Sequence, residues 1–151
     1  TLRQLAYMVN GRGFATNAER AAALARFAKD PRVASVTVDG VRYLYPADED
    51  PSAATLDERV RALAPFDPIA WDRNRFEHLW GWGYRFEAYT PARKRVYGYY
   101  ALPLAWRDRV VGWANATPAG FVVGYPGAAP RERAFRRALD EELAGLERFA
   151  A

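Results

Sequence analysis

From Tyr84 onward the apolar residues stop recurring at helical spacing and begin to alternate, in four short runs at 84–90, 95–102, 109–116 and 120–125. Pro91-Ala92, Arg107-Asp108 and Pro118-Ala119-Gly120 stand between them, residues that favour tight connections. Successive strands on short turns pair antiparallel, because a parallel return needs a crossover of roughly a dozen residues or more. The spacing therefore predicts an antiparallel sheet, curled into a small barrel. Pro130 then opens a long amphipathic helix to Phe149. Its Phe135, Leu139, Leu143 and Leu146 form a stripe suited to covering a sheet.

Upstream the pattern is helical. Residues 2–9 read as the last turns of an apolar helix, ended by Asn10-Gly11. The chain starts inside this helix and without an initiator Met, as a piece of a longer protein would. Thr16-Asn17-Ala18-Glu19 is a capping box, in which the Thr hydroxyl takes the Glu19 amide and the Glu19 carboxylate reaches back. It opens an Ala-rich helix to about Lys29, with Ala21, Leu24, Ala25 and Ala28 on one face, and Asp30-Pro31 stops it. Val33 to Val38 and Val41 to Tyr45 flank Asp39-Gly40, the pair favoured in a two-residue type I′ hairpin. A helix followed by such a hairpin is the closing half of a winged helix, and other units of helix and hairpin share the pattern.

The acidic, turn-rich stretch Ala47 to Ser52 marks a boundary. Residues 1–47 read as the C-terminal part of a winged-helix domain, and 48–151 as an antiparallel β-barrel domain with flanking helices. The fold class is α+β. Thr55-Leu56-Asp57-Glu58 looks like a second capping box, starting a short helix that ends at Ala64-Pro65. Asp67-Pro68 offers an N-cap with Pro at the first helical position. Asp72 caps a further segment, Arg73 to Trp80, closed by Gly81.

Composition narrows the chemistry. There is no Cys and a single His, His78, which excludes disulfides and thiolate metal sites and argues against an all-protein zinc site; no metal or organic cofactor is expected. The absence of Cys fits the cytoplasm, and a Cys-free exported protein would look the same. No apolar run approaches the roughly 18 residues of a membrane span. An Arg- and Ala-rich chain reflects GC-rich coding, but the distribution of charge says more. Between Arg73 and Arg109 stand eight cations (Arg73, Arg75, Arg85, Arg93, Lys94, Arg95, Arg107, Arg109) and three carboxylates (Glu77, Glu87, Asp108). That is a net of +5 in a chain whose total is +4, so the positive field is local.

Aromatic rings alternate with these cations, as on surfaces that meet nucleic acid: phosphates attract the cations and bases stack on rings. The candidate DNA-contacting residues are Arg73, Arg75, Arg93, Lys94, Arg95 and Tyr97, with Arg93 to Arg95 at a hairpin tip able to enter a groove. A tip that is charged merely to blunt a sheet edge would look the same. Tyr97 and Tyr99 share one strand face and Tyr100 the other, so at least one face packs in a core. Trp71-Asp72-Arg73 has two compatible readings: the Asp72 carboxylate orients Arg73 toward a phosphate, or Asp72 caps a helix with Trp71 in the core and Arg73 paired with Glu77 at i+4. His78, beside Leu79 and Trp80, fits packing better than catalysis. Glu87 reads as one half of an ion pair with Arg85 or Arg95.

The run from Ala64 to Gly112 resembles the C-terminal part of the YcaQ/AlkZ-type winged-helix crosslink-repair DNA glycosylases. The resemblance rests on Ala-Pro-Phe-Asp (64–67), Trp-Asp-Arg (71–73), Gly-Trp (81–82), Tyr-Arg-Phe-Glu (84–87), Lys-Arg-Val-Tyr-Gly-Tyr-Tyr-Ala-Leu-Pro (94–103) and Asp-Arg-Val-Val-Gly (108–112). It implies tandem winged helices followed by a β-barrel. It also implies duplex DNA as partner, together with the preceding winged-helix domains of the same protein, and base excision of alkylated or crosslinked bases. The family's catalytic signature, Gln-x-Gln or Gln-x-Asp, is not met: the one Gln is Gln4, with Ala6 two positions on. The resemblance therefore implies DNA binding without hydrolysis by these residues alone. After Gly112 the family's charged strand is replaced by Trp113-Ala114-Asn115-Ala116-Thr117. A winged-helix regulator, or a protein-interaction module without catalysis, is the alternative.

Overall fold

The computed structural model describes residues 1–8 and 16–150. Its chain divides into two compact units, Thr1–Ala54 and Thr55–Ala151. Among the described residues, no helix is long and apolar enough to cross a membrane.

The first unit holds two helices, α1 (Leu2–Met8) and α2 (Asn17–Phe27), then a hairpin of β1 (Val33–Val38) and β2 (Val41–Pro46). The Asn10-Gly11 stop expected after the first helix lies outside the described residues. The capping box at Thr16 and Glu19 forms in both directions, at 3.1 and 3.0 Å. Helix α2 turns Ala23, Leu24 and Ala28 partly inward and leaves Ala21 and Ala25 exposed, a face rotated from the one expected. Asp39 and Gly40 both take positive φ, 45° and 78°, as a type I′ turn requires, and Val38 pairs with Val41.

The second unit is a four-stranded antiparallel meander, β3 (Val60–Ala62), β4 (Ala101–Trp106), β5 (Arg109–Thr117) and β6 (Gly120–Gly124), in that spatial order. It also holds α3 (Arg73–Trp80) and the long α4 (Arg133–Ala150). The sheet is open, not a barrel: β3 and β6 lie at opposite edges and do not pair. Two of the expected strands are missing. Residues 84–90 form no strand, and of 95–102 only the end enters β4. The expected helix after Thr55 is also absent. Asp57 instead binds Arg59 and Arg61, at 3.0 and 2.7 Å. Val60 is drawn into the core beside Leu104 and Phe135, and tertiary burial overrides the local capping signal. Asp67-Pro68 makes a turn rather than a helix, with the Asp67 carboxylate accepting from the Ile69 amide at 2.8 Å.

Each sheet face has its own cover. On one, Phe135, Ala138 and Leu139 of α4 pack on Val60, Leu104, Trp106 and Ala114, with Leu143 at the margin. The Glu142 carboxylate of α4 also accepts the Ala62 amide at 2.7 Å, tying the helix to edge strand β3. On the other face Phe76 of α3 packs with Tyr84, Ala101 and Val110. A bulge lets β5 serve both layers: Leu104 pairs with Gly112 but Ala105 with Val110, so Val111 is the extra residue. Alternation restarts there, sending Val110 and Trp113 to the α3 side and Val111 and Ala114 to the α4 side.

Candidate nucleic-acid interface

Residues 81–100, richest in rings and cations, form an irregular loop on the α3 side, held by side chains instead of a strand ladder. Helix α3 sets its start. The Asp72 carboxylate caps the Arg75 amide at 2.8 Å, and Gly81 closes the helix at φ 72°. The loop then wraps Phe76 in rings, with Trp80, Trp82 and Tyr84 at centroid distances of 4.9, 4.9 and 5.5 Å. The buried Tyr84 hydroxyl donates to the Ala101 carbonyl at 2.8 Å. Burial, with smaller effects of Tyr100 and Glu87, pushes its phenol well above the ordinary tyrosine range.

Glu87 is the loop's central pin. It is 4% exposed, and one carboxylate oxygen accepts both the Val96 and the Tyr97 amides at 2.7 Å. Backbone amides thus take the place of the expected ion pair with Arg85 or Arg95, since the fold brings consecutive N–H groups to a carboxylate buried from water. The Asn115 side chain on β5 accepts the Tyr100 amide at 3.1 Å. Gly98 passes that side chain at φ 118°, where a Cβ would overlap the Asn115 carboxamide.

The expected cations are disposed as follows. Arg73, Arg85, Arg93, Lys94 and Arg109 are exposed. Arg93 and Lys94 lie in a 3-10 turn, Ala92–Lys94, not at the tip of a strand hairpin. Arg95 is anchored: its Nε donates to the Thr90 carbonyl at 2.8 Å, and its guanidinium lies 4.9 Å from the Tyr99 ring centroid. Arg75 is half-buried, with Nη2 lacking a hydrogen-bond partner among the described residues. Arg107 pairs with Glu58 at 3.0 Å and lies over Trp106. Among the described residues it is the one cation of the central eight with a carboxylate partner, and the expected Arg73–Glu77 pair does not form. Tyr97 points inward, against Trp82 and Trp113 at 6.1 and 4.9 Å, and its hydroxyl donates to the Gly83 carbonyl.

The AlkZ-like DNA glycosylase family model matches residues 1–149 of this chain. The chain belongs to that family. No solved structure matches it.

Several of the motif residues that carry the likeness are thus structural in this AlkZ-like protein: Glu87, Tyr97, Gly98 and the Asp72 cap build the loop, leaving its cations outside. The uncharged stretch after Gly112 also finds its reason. On opposite faces of β5, a strand flanked by β4 and β6, Ala114 is buried against α4 and Trp113 packs half-buried on the α3 layer. A cleft of about 600 Å³ lies at the β4–β5 turn, lined by Trp80, Trp82 and Trp106 together with Asp108, Arg109 and Glu132. Two carboxylates make it a poor host for phosphate, and the five steps of β4 set it about 17 Å along the strand from the Tyr100–Asn115 end. The candidate residues read from the sequence did not include Phe66 and Tyr89, exposed rings that meet the half-buried Phe86 around that end. For Phe86 and Tyr89, closeness to Arg85 and Arg93 to Arg95 in the sequence was the available signal; Phe66, in Ala-Pro-Phe-Asp, reaches them only through the fold.

Proposed function

We propose that this AlkZ-like chain provides the DNA-backbone contacts of a glycosylase that removes alkylated or crosslinked bases. Arg73, Arg75, Arg93, Lys94 and Arg95 neutralise phosphates and fix the protein on the duplex without reading its sequence. Tyr97 acts as the packed base of that surface. Residues 1–47 serve as the end of a winged helix, and further winged-helix domains of the same protein are its partners. Hydrolysis belongs to a Gln-x-Gln or Gln-x-Asp signature that Gln4 and Ala6 do not supply.

One observation carries this reading: seven of the eight cations between Arg73 and Arg109 have no carboxylate partner among the described residues, and Glu87, one of the three carboxylates in that stretch, is buried and held by two amides, so the local excess of positive charge is not neutralised by ion pairs. Cations without a carboxylate partner bind a polyanion without first breaking an ion pair. The test is titration of a duplex by fluorescence anisotropy. Changing Arg93, Lys94 and Arg95 together to Ala weakens binding at least tenfold at low salt, whereas Arg107→Ala, which removes a cation already paired, changes it less than twofold. Equal effects of the two variants would remove the loop from the reading.

A further inference from the structure

The ring group around Phe86 differs from the packed rings of the α3 layer in one respect: its faces are open. Phe86 meets Phe66, Tyr89 and Tyr100 at 5.6, 6.2 and 5.2 Å with interplanar angles of 66°, 86° and 89°. Edge-to-face geometry leaves the outer rings without a stacked neighbour. Phe66 is 73% exposed, Tyr89 92% and Tyr100 43%. Burying rings is the ordinary use of such residues, so a grouped set held in water by a pinned loop marks an interaction surface.

Charge decides the occupant. Between Tyr84 and Tyr100 there are four cations, Arg85, Arg93, Lys94 and Arg95, and one carboxylate, Glu87, which is buried and engaged by two amides. Asp67, beside Phe66, holds the Ile69 amide. Arg95 is fixed between the Thr90 carbonyl, next to Tyr89, and the ring of Tyr99, next to Tyr100. A preorganised guanidinium is thus tied to the two chain segments that carry Tyr89 and Tyr100, and it lies over the exposed ring of Tyr99. Phosphate and unstacked base are the two groups that such a pair takes together.

We infer that Phe66, Tyr89 and Tyr100 form a stacking platform for unpaired nucleotides of DNA, with Arg95 holding the adjacent phosphate. This deepens the DNA-binding reading and rests on it. In a fully paired duplex the bases are already stacked and the platform has nothing to gain, so it confers a preference for DNA with unpaired nucleotides.

The test compares two DNAs of equal length and charge, one fully paired and one whose strands carry a run of three mismatched pairs, by anisotropy with the full 151-residue chain. The mismatched DNA binds on the order of tenfold more tightly. Tyr89→Ala removes most of that preference and leaves affinity for the paired duplex unchanged, and Tyr89→Phe keeps it. The Tyr89 ring is almost wholly in solvent, and thermal melting checks that its loss does not unfold the chain. Changing Arg93, Lys94 and Arg95 to Ala lowers both affinities, so failure of the DNA-binding reading and failure of the platform are separable. Equal affinity for both DNAs in the unmodified chain, or a preference that survives Tyr89→Ala, overturns the platform. Self-association that Tyr89→Ala abolishes, with no preference between DNAs, would assign the rings to a second copy instead.

Discussion

The carboxylate of Glu87 and the backbone amide of Tyr97 meet at 2.7 Å across ten residues of chain, and the same oxygen takes the amide of Val96. This joins the Tyr-Arg-Phe-Glu segment to the basic turn that follows, and holds Arg93 to Arg95 in a defined place without a strand ladder. Glu87→Ala leaves two amides without their acceptor and lowers the unfolding free energy of the second unit by about 3 kcal/mol. Glu87→Gln keeps an accepting oxygen and loses about 1 kcal/mol. Urea unfolding followed by tryptophan fluorescence measures both, and equal losses would show that the side chain acts by volume alone.

Gly98 and Asn115 set a second constraint. At φ 118° an L-residue is strained, and its Cβ would overlap the Asn115 carboxamide. Gly98→Ala therefore costs about 2 kcal/mol or more. Adding Asn115→Ala makes room for the methyl group, so the double variant is more stable than the sum of the two single losses predicts. Strict additivity in that cycle would contradict the packing.

The alkaline limb of stability reports on Tyr84. Its folded-state phenol is held well above the ordinary value of about 10. Below about pH 10 the group is neutral in both states and its contribution is complete. Above that, the unfolded chain loses the proton while the folded one keeps it, so stability falls as pH rises. Tyr84→Phe lowers the neutral-pH plateau by about 1 kcal/mol, through loss of the hydrogen bond to Ala101, and makes the decline above pH 10 shallower. Tyr97 and Tyr125, whose phenols burial also raises, keep part of the slope. Melting temperatures from pH 7 to 11 check the sign.

What the sequence made legible was local. Asp39-Gly40, the Thr16 box, the Asp72 cap with Gly81, strands β5 and β6, and the Phe135 and Leu139 stripe of α4 each follow from a short pattern whose physics is contained within it. Two readings failed because distant residues decided them. Thr55 to Glu58 carries a helix-start pattern, but Val60 gains more by entering the core beside Leu104 and Phe135. The alternation at 84–100 comes from a loop with an inside and an outside: Tyr84 and Tyr97 turn in, Tyr89 and Tyr99 turn out, and Glu87 replaces the ladder. Without those two strands the sheet has nothing to close it. The cations were legible as a charge excess. Their freedom from carboxylates was not, because Arg107–Glu58 and the unformed Arg73–Glu77 pair depend on the fold.

The central claim, that the unpaired cations of this AlkZ-like chain grip the DNA backbone, is tested most directly by the slope of log affinity for a fully paired duplex against log salt concentration. With Arg93, Lys94 and Arg95 on phosphates, changing all three to Ala makes that slope shallower by about 3, close to one unit for each cation removed. A slope that is the same in both proteins, or affinity indifferent to salt in the unmodified chain, would contradict the account.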